Sequence, residues 1–122
     1  MPKKESKLQR QIRDHLEKTV GGFWFKSHGG PFQMAGLPDL IGCVEGLYFG
    51  FEIKLPDDKK SKVMAHQEVV LKIIKYKGGG YAAVITDPQD AEDRVRDWAK
   101  KNGKTIKNKV RQLSKKMLES GI

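Results

Sequence analysis

One cysteine, Cys43, is all the chain contains, so no internal disulfide can form and a cysteine-ligated zinc site is excluded. No apolar run approaches the roughly 20 residues of a membrane-spanning helix. The start, Met1-Pro2-Lys3-Lys4, also lacks the apolar stretch of a secretory signal. A soluble intracellular protein with no membrane partner is expected. Internal repeats and low-complexity tracts are absent. Acids are scarce beside bases: 15 Asp and Glu against 24 Lys and Arg, a formal net charge of +9. From Lys100 onward Glu119 is the one acid among eight basic residues, so +7 of the total sits there. Such one-signed charge predicts a polyanionic partner, most economically nucleic acid, with anionic lipid the other candidate.

What is present fits one domain, since 122 residues can bury a single core but not two of ordinary size. Leu8, Ile12 and Leu16 recur at helical spacing between Glu5 and about Val20, and Gly21-Gly22 stops that helix. Phe23 to Lys26 reads as a short strand. The loop from Ser27 to Gly36 is broken by glycines and a proline. It leads to Asp39, so its backbone amides at Gly36, and His28, are candidates to edge a substrate phosphate. For His28 a solvent-facing place is the first reading, with metal binding or proton relay the alternative.

The stretch from Gly36 to Lys54 organises the rest. Asp39 to Val44 and Leu47 to Lys54 are dense in β-branched, aromatic and aliphatic residues, with Glu45-Gly46 as a turn between them. A two-residue loop opposes Val44 to Leu47, Leu40 to Phe51 and Asp39 to Glu52. A type I turn with Gly46 in a bulge is equally open and slides the pairing by about one residue. Either way the Asp39 and Glu52 ends stay adjacent; directly opposed, the two acids share one sheet face, and Lys54 points to that face too. Like charges opposed across a ladder destabilise it, so their presence asks for a reason, and a divalent cation supplies one. Mg²⁺ held by one or two carboxylates keeps waters and accepts phosphate oxygens, the needs of a phosphodiester-cleaving site. Lys54 beside it is placed to orient or deprotonate water, or to neutralise phosphate charge. Leu40, Val44, Leu47, Phe49, Phe51 and Ile53 form the opposite, apolar face. Ile41, Cys43 and Tyr48 lie on the acidic side, where a covering layer is also expected, with Cys43 as a buried structural thiol.

After a charged loop, a second helix carries Val63, Gln67, Val70, Leu71 and Ile74 on one face. Gln67 there bonds either the acidic site or a backbone carbonyl. Gly78 to Gly80 end that helix, Tyr81 to Thr86 read as a buried strand, and Asp87-Pro88 start a third helix with Ala91, Val95, Trp98 and Ala99 inward. Thr105 opens a last amphipathic helix with Ile106, Val110, Leu113 and Met117 on one side and basic residues elsewhere. The expected division is a core at 1–103 and a basic helix at 104–122, packed on that core or on a second copy. Lys104, Lys107 and Arg111 are its candidate nucleic-acid contacts.

Pro38-Asp39 followed by Glu52-Ile53-Lys54 resembles the signature of the PD-(D/E)XK nuclease superfamily. With Glu5 on the first helix, Gly36-Leu37 ahead of Pro38 and Gln67 on the next helix, the pattern is similar to its stand-alone VRR-NUC branch and to the archaeal Holliday junction resolvases. The resemblance covers about residues 5–86. It implies an α/β, restriction-endonuclease-like fold, a small mixed sheet flanked by helices. It also implies a Mg²⁺- or Mn²⁺-dependent endonuclease acting as a homodimer on branched DNA, with flap or single-strand cleavage as the alternative. Asp39, Glu52 and the Ile53 carbonyl would bind the metal, Glu5 would complete the site, Lys54 would act on the attacking water, and Gln67 would orient Lys54 or a phosphate. On its own chemistry Glu5 is equally a helix N-terminal acid. A non-catalytic basic nucleic-acid-binding module is the rival from another class.

Overall fold

The computed structural model describes residues 3–28, 34–56, 63–106 and 115–121. Helix α1 (Lys3–Thr19) turns Ile12 and Leu16, both fully buried, onto the sheet. Gly21 and Gly22 adopt φ of 69° and 86°, the left-handed conformation that ends a helix at no side-chain cost. The freed Gly21 carbonyl then accepts the Trp24 indole N–H at 2.8 Å. Four strands follow in spatial order β1 (Phe23–Lys26), β2 (Leu40–Val44), β3 (Leu47–Ile53) and β4 (Tyr81–Ile85). The first three pair antiparallel, and β4 pairs parallel to β3. The crossover between β3 and β4 is α2 (Ala65–Lys72), continued by a π-helical segment, Ile73–Lys77. Helix α3 (Pro88–Lys101) is capped by Asp87, whose carboxylate accepts the Asp90 amide at 2.8 Å. A short α4 spans Lys115–Glu119.

Glu45 and Gly46 alone form the β2–β3 loop, at φ of 51° and 80°. Two successive positive φ values match the twist of the flanking strands. The two-residue alternative is therefore the one realised, and Leu40 pairs with Phe51.

One sheet face packs on α1 and α3 through Leu40, Val44, Phe49, Phe51, Ile53 and Ile85, all nearly or fully buried with Ile12, Leu16, Ala91 and Val95. His15 to Glu92 at 2.8 Å and Arg96 to the Thr19 carbonyl at 3.2 Å pin the two helices side by side. Trp98, read as core, packs on Tyr81 with ring centroids 5.4 Å apart. Trp24 lies across Gly42, where an added Cβ would stand 2.1 Å from an indole carbon. Gly42→Ala should therefore cost about 1–3 kcal/mol of stability by overpacking, measured by denaturant titration.

One expectation is corrected. The acidic face is only partly covered: α2 and the π-helical segment lie over β3 and β4, where Ile74 abuts Gly50 and Gly80. Cys43 is consequently exposed rather than buried, as are Phe23, Phe25 and Tyr48. Thr105 and Ile106 are themselves not helical, and most of the expected last helix lies outside the described residues. Gly103, at φ 70°, turns the chain, and the Lys104 amide closes back on the Ala99 carbonyl at 2.8 Å. Val110 and Leu113 lie outside the described residues.

Candidate active site

The β2–β3 ladder ends at Leu40 and Phe51, leaving Asp39 one step beyond it. There the Asp39 carboxylate accepts the Ile53 N–H at 2.8 Å, replacing the ladder bond that a further strand residue would have made. Within a strand the N–H and C=O of one residue point to the same side, so the Ile53 carbonyl faces the edge that Asp39 occupies. On the other side of β3, the Lys54 amide donates to the Ile85 carbonyl at 3.0 Å. The end of β3 is thus tied to both neighbours, and the side chains it carries are held in place.

Glu52 is 1% exposed. Its Oε1 accepts the Gln67 amide at 3.0 Å and lies 3.9 Å from the Lys54 amine. Its Oε2 is buried and receives no hydrogen bond among the described residues. Burial pushes the Glu52 carboxyl up to about 9 from its ordinary 4.5. Hydrogen bonding to Asp39 and that residue's charge add to the rise, as does the charge of Glu5, while Lys54 opposes it. Two ionised carboxylates have no proton to share, so the Asp39–Glu52 contact is a hydrogen bond only while Glu52 is protonated.

Gln67 uses both ends of its amide, since its oxygen accepts the Met64 N–H at 2.8 Å while its nitrogen holds Glu52. It orients Glu52, the acidic-site partner that the sequence offered, where the resemblance implied Lys54 or a phosphate. Glu5 is half-buried in the first turn of α1, near enough for its charge to be felt at Glu52. Among the described residues no three His, Cys, Asp or Glu side chains form a group able to hold a metal. The structure therefore offers a carboxylate pair with Glu5 outlying. An unmatched buried oxygen, two acids and an adjacent backbone carbonyl still fit a hard cation that keeps most of its waters.

Other candidates are not drawn in. His28 is exposed at the end of the described segment. Gly36, at φ 83°, has a packing job: an added Cβ would come 2.7 Å from the His66 carbonyl at the start of α2. Lys104 follows α3, whose 14 residues run away from the Ile85 end of the sheet for about 20 Å. Lys107 and Arg111 lie outside the described residues.

Two residues escaped sequence reading. Lys26 donates to the Ser6 hydroxyl at 2.7 Å, tying β1 to the first turn of α1 beside Glu5. Gln9, fully buried one turn beyond Glu5, has no partner for either end of its amide among the described residues. Gln9 continues the stripe of Glu5, Ile12 and Leu16, which was the available signal; for Lys26 the sequence holds none.

No family model matches the chain, and no curated protein matches it. A solved structure described as a VRR_NUC domain superposes with a TM-score of 0.61, covering 80% of this chain and 99% of the other at 21% sequence identity. The chain therefore has the fold of that domain, the restriction-endonuclease-like arrangement of a small mixed sheet between helices. No helix among the described residues is long and apolar enough to cross a membrane.

Proposed function

We propose that this chain is a metal-dependent endonuclease that hydrolyses phosphodiester bonds in branched DNA, with four-way junctions as the preferred substrate. The observation that carries this reading is the Asp39–Glu52 pair, two interacting carboxylates at a strand end with the Lys54 amine 3.9 Å from Glu52. A structural ion pair would be satisfied by Lys54 alone and would not need a second acid raising the proton affinity of the first. The name of the similar domain and the likeness of Asp39, Glu52, Lys54 and Gln67 to the PD-(D/E)XK signature support the same chemistry.

Mg²⁺, or Mn²⁺ in its place, would be held by Asp39, Glu52 and the Ile53 carbonyl, with Glu5 acting through water, and would supply phosphate charge neutralisation and a water of lowered pKa. The chain's own groups do the rest. Gln67 fixes the direction of the Glu52 carboxylate, the Ile53 amide fixes Asp39, and the Lys54 amine orients the attacking water or takes its proton. The basic surplus attracts the polyanion. Purified protein incubated with labelled four-way junction, flap, single strand and duplex, with Mg²⁺, Mn²⁺ or chelator, should cut the junction fastest and only with cation. Absence of cutting on every substrate would remove the reading in favour of a basic binding module.

Cutting both strands of a junction calls for two copies, and the uncovered part of the sheet supports self-association. Phe23, 66% exposed, pairs with Cys43, which pairs with Tyr48, so these exposed side chains are contiguous and uncharged. Phe25 adds a second ring 5.8 Å from Phe23. A homodimer through this face should become monomeric in Phe23→Ser, measured by sedimentation.

A further inference from the structure

The crossover helix has a second apolar side. Its inner side buries Val70 and Leu71 and sets Ile74 on Gly50 and Gly80. On its outer side Val69, Ile73 and Tyr76 are exposed, Tyr76 to 83%. Spacings of four and three residues put them on one face. With Lys72 and Lys77 they line a single shallow groove of about 380 Å³, apolar in its floor and cationic at its sides. Glu68 neutralises Lys72 at 3.1 Å; among the described residues no acid pairs with Lys75 or Lys77.

The groove lies on the side of the helix opposite the carboxylates. Gln67, two residues before Val69, holds Glu52, and nine residues of helix, about 13 Å, separate it from Tyr76. Over the last stretch the backbone widens into a five-residue π-helical segment, closed by the Gly78 amide on the Ile73 carbonyl at 2.9 Å. Ile74 still faces the sheet there while the Tyr76 ring stands in solvent. Such widened turns are uncommon and concentrate at functional positions.

We propose that this outer face of the crossover helix, whose inner side carries the active-site Gln67, binds an unpaired nucleic-acid strand, with bases stacking on Tyr76 and its apolar neighbours and phosphates meeting Lys75 and Lys77. An exposed aromatic ring between lysines is the pattern that binds single strands without sequence preference, because every base offers a π-face and every linkage a charge. A second copy of the chain fits less well. A two-fold contact through this face would bring Lys75 and Lys77 of both copies into one interface with no described acid paired to them, whereas the sheet patch at Phe23 carries no charge. The proposal rests on the nuclease reading for what happens at the strand's end, but the binding it describes does not need the carboxylates.

The test compares the full-length wild type with Tyr76→Ala, Tyr76→Trp and a Lys75→Ala/Lys77→Ala double variant. Labelled single-stranded oligothymidylate and a blunt duplex of equal length are bound in chelator and read by fluorescence anisotropy, with sedimentation in parallel. Tyr76→Ala should weaken single-strand binding about tenfold and spare the duplex, and Tyr76→Trp should restore it. The lysine variant should lower the salt slope for the single strand by about 1.4. Equal single-strand affinity in Tyr76→Ala and wild type, or no single-strand binding by wild type, overturns the proposal. Dissociation of a dimer by Tyr76→Ala also overturns it and assigns the face to a second copy. If wild type cuts DNA while Tyr76→Ala binds single strands normally, this inference alone fails. If Tyr76→Ala loses single-strand binding while wild type cuts nothing, the nuclease reading fails and the binding surface stands.

Discussion

Lys54→Ala and Asp39→Asn should each slow DNA cleavage by about 10²–10⁴-fold while leaving binding of uncut DNA intact. Lys54 leaves the end of β3 two residues after Glu52 on the same face, its side chain 15% exposed and its amine 3.9 Å from Glu52. Its backbone stays pinned to the Ile85 carbonyl whatever side chain it carries, so truncation removes the amine without moving the strand. Lys54→Arg separates two roles. Arginine keeps the charge but cannot accept a proton from water, so activity retained by arginine assigns charge neutralisation, and activity lost assigns proton transfer. In Asp39→Asn the amide oxygen can still accept the Ile53 N–H, while the negative charge that Glu52 feels is gone. The variant should fold as stably as wild type or more so, and full cleavage by it would remove the carboxylate pair from the mechanism.

Without divalent cation the folded chain should lose stability as pH rises from about 5 to about 9. Burial and Asp39 hold the folded Glu52 carboxyl up to about 9, while the unfolded chain releases that proton near 4.5. Across that window the folded state binds the extra proton, so each pH unit works against it by up to about 1.4 kcal/mol. The contribution is complete below 4.5 and gone above 9. If Mg²⁺ binds at the proposed site it would take the proton's place, so its addition should release a proton, seen as buffer-dependent heat, and should flatten the slope. Glu52→Gln should flatten it without metal. Glu92 acts in the opposite sense: Arg96, with a smaller share from His15, holds its carboxyl down, so its contribution is present above 4.5 and lost on acidification. The two groups separate by pH range, and an unchanged alkaline slope in Glu52→Gln would assign the effect elsewhere.

The hairpin and the meeting of Asp39, Glu52 and Lys54 were legible because a period of two and a two-residue loop leave little freedom. The sequence could not show where cover ends. Ile41, Cys43 and Tyr48 are as apolar as buried residues, and only the placement of the crossover helix over β3 and β4 leaves Cys43 and Tyr48 in solvent. The π-helical segment was invisible because Ile73 to Lys77 fits an ordinary helix as well. Gln67 was found because a polar residue among apolar ones needs a partner; Gln9 met the same criterion on α1 and was passed over beside Glu5. Lys26 touches Ser6 across 20 positions, a relation no local pattern records.

The two-residue loop at Glu45 and Gly46 has a consequence for how this protein can change. Adding one residue there would shift β3 by a single step, turning Phe51 toward Gln67 and sending Glu52 into the layer of Ile12 and Val95. Drift in length is therefore tolerable in the segments before Asp39 and after Lys54, whereas this tip acts as a ruler whose parity decides whether the acid reaches its partners.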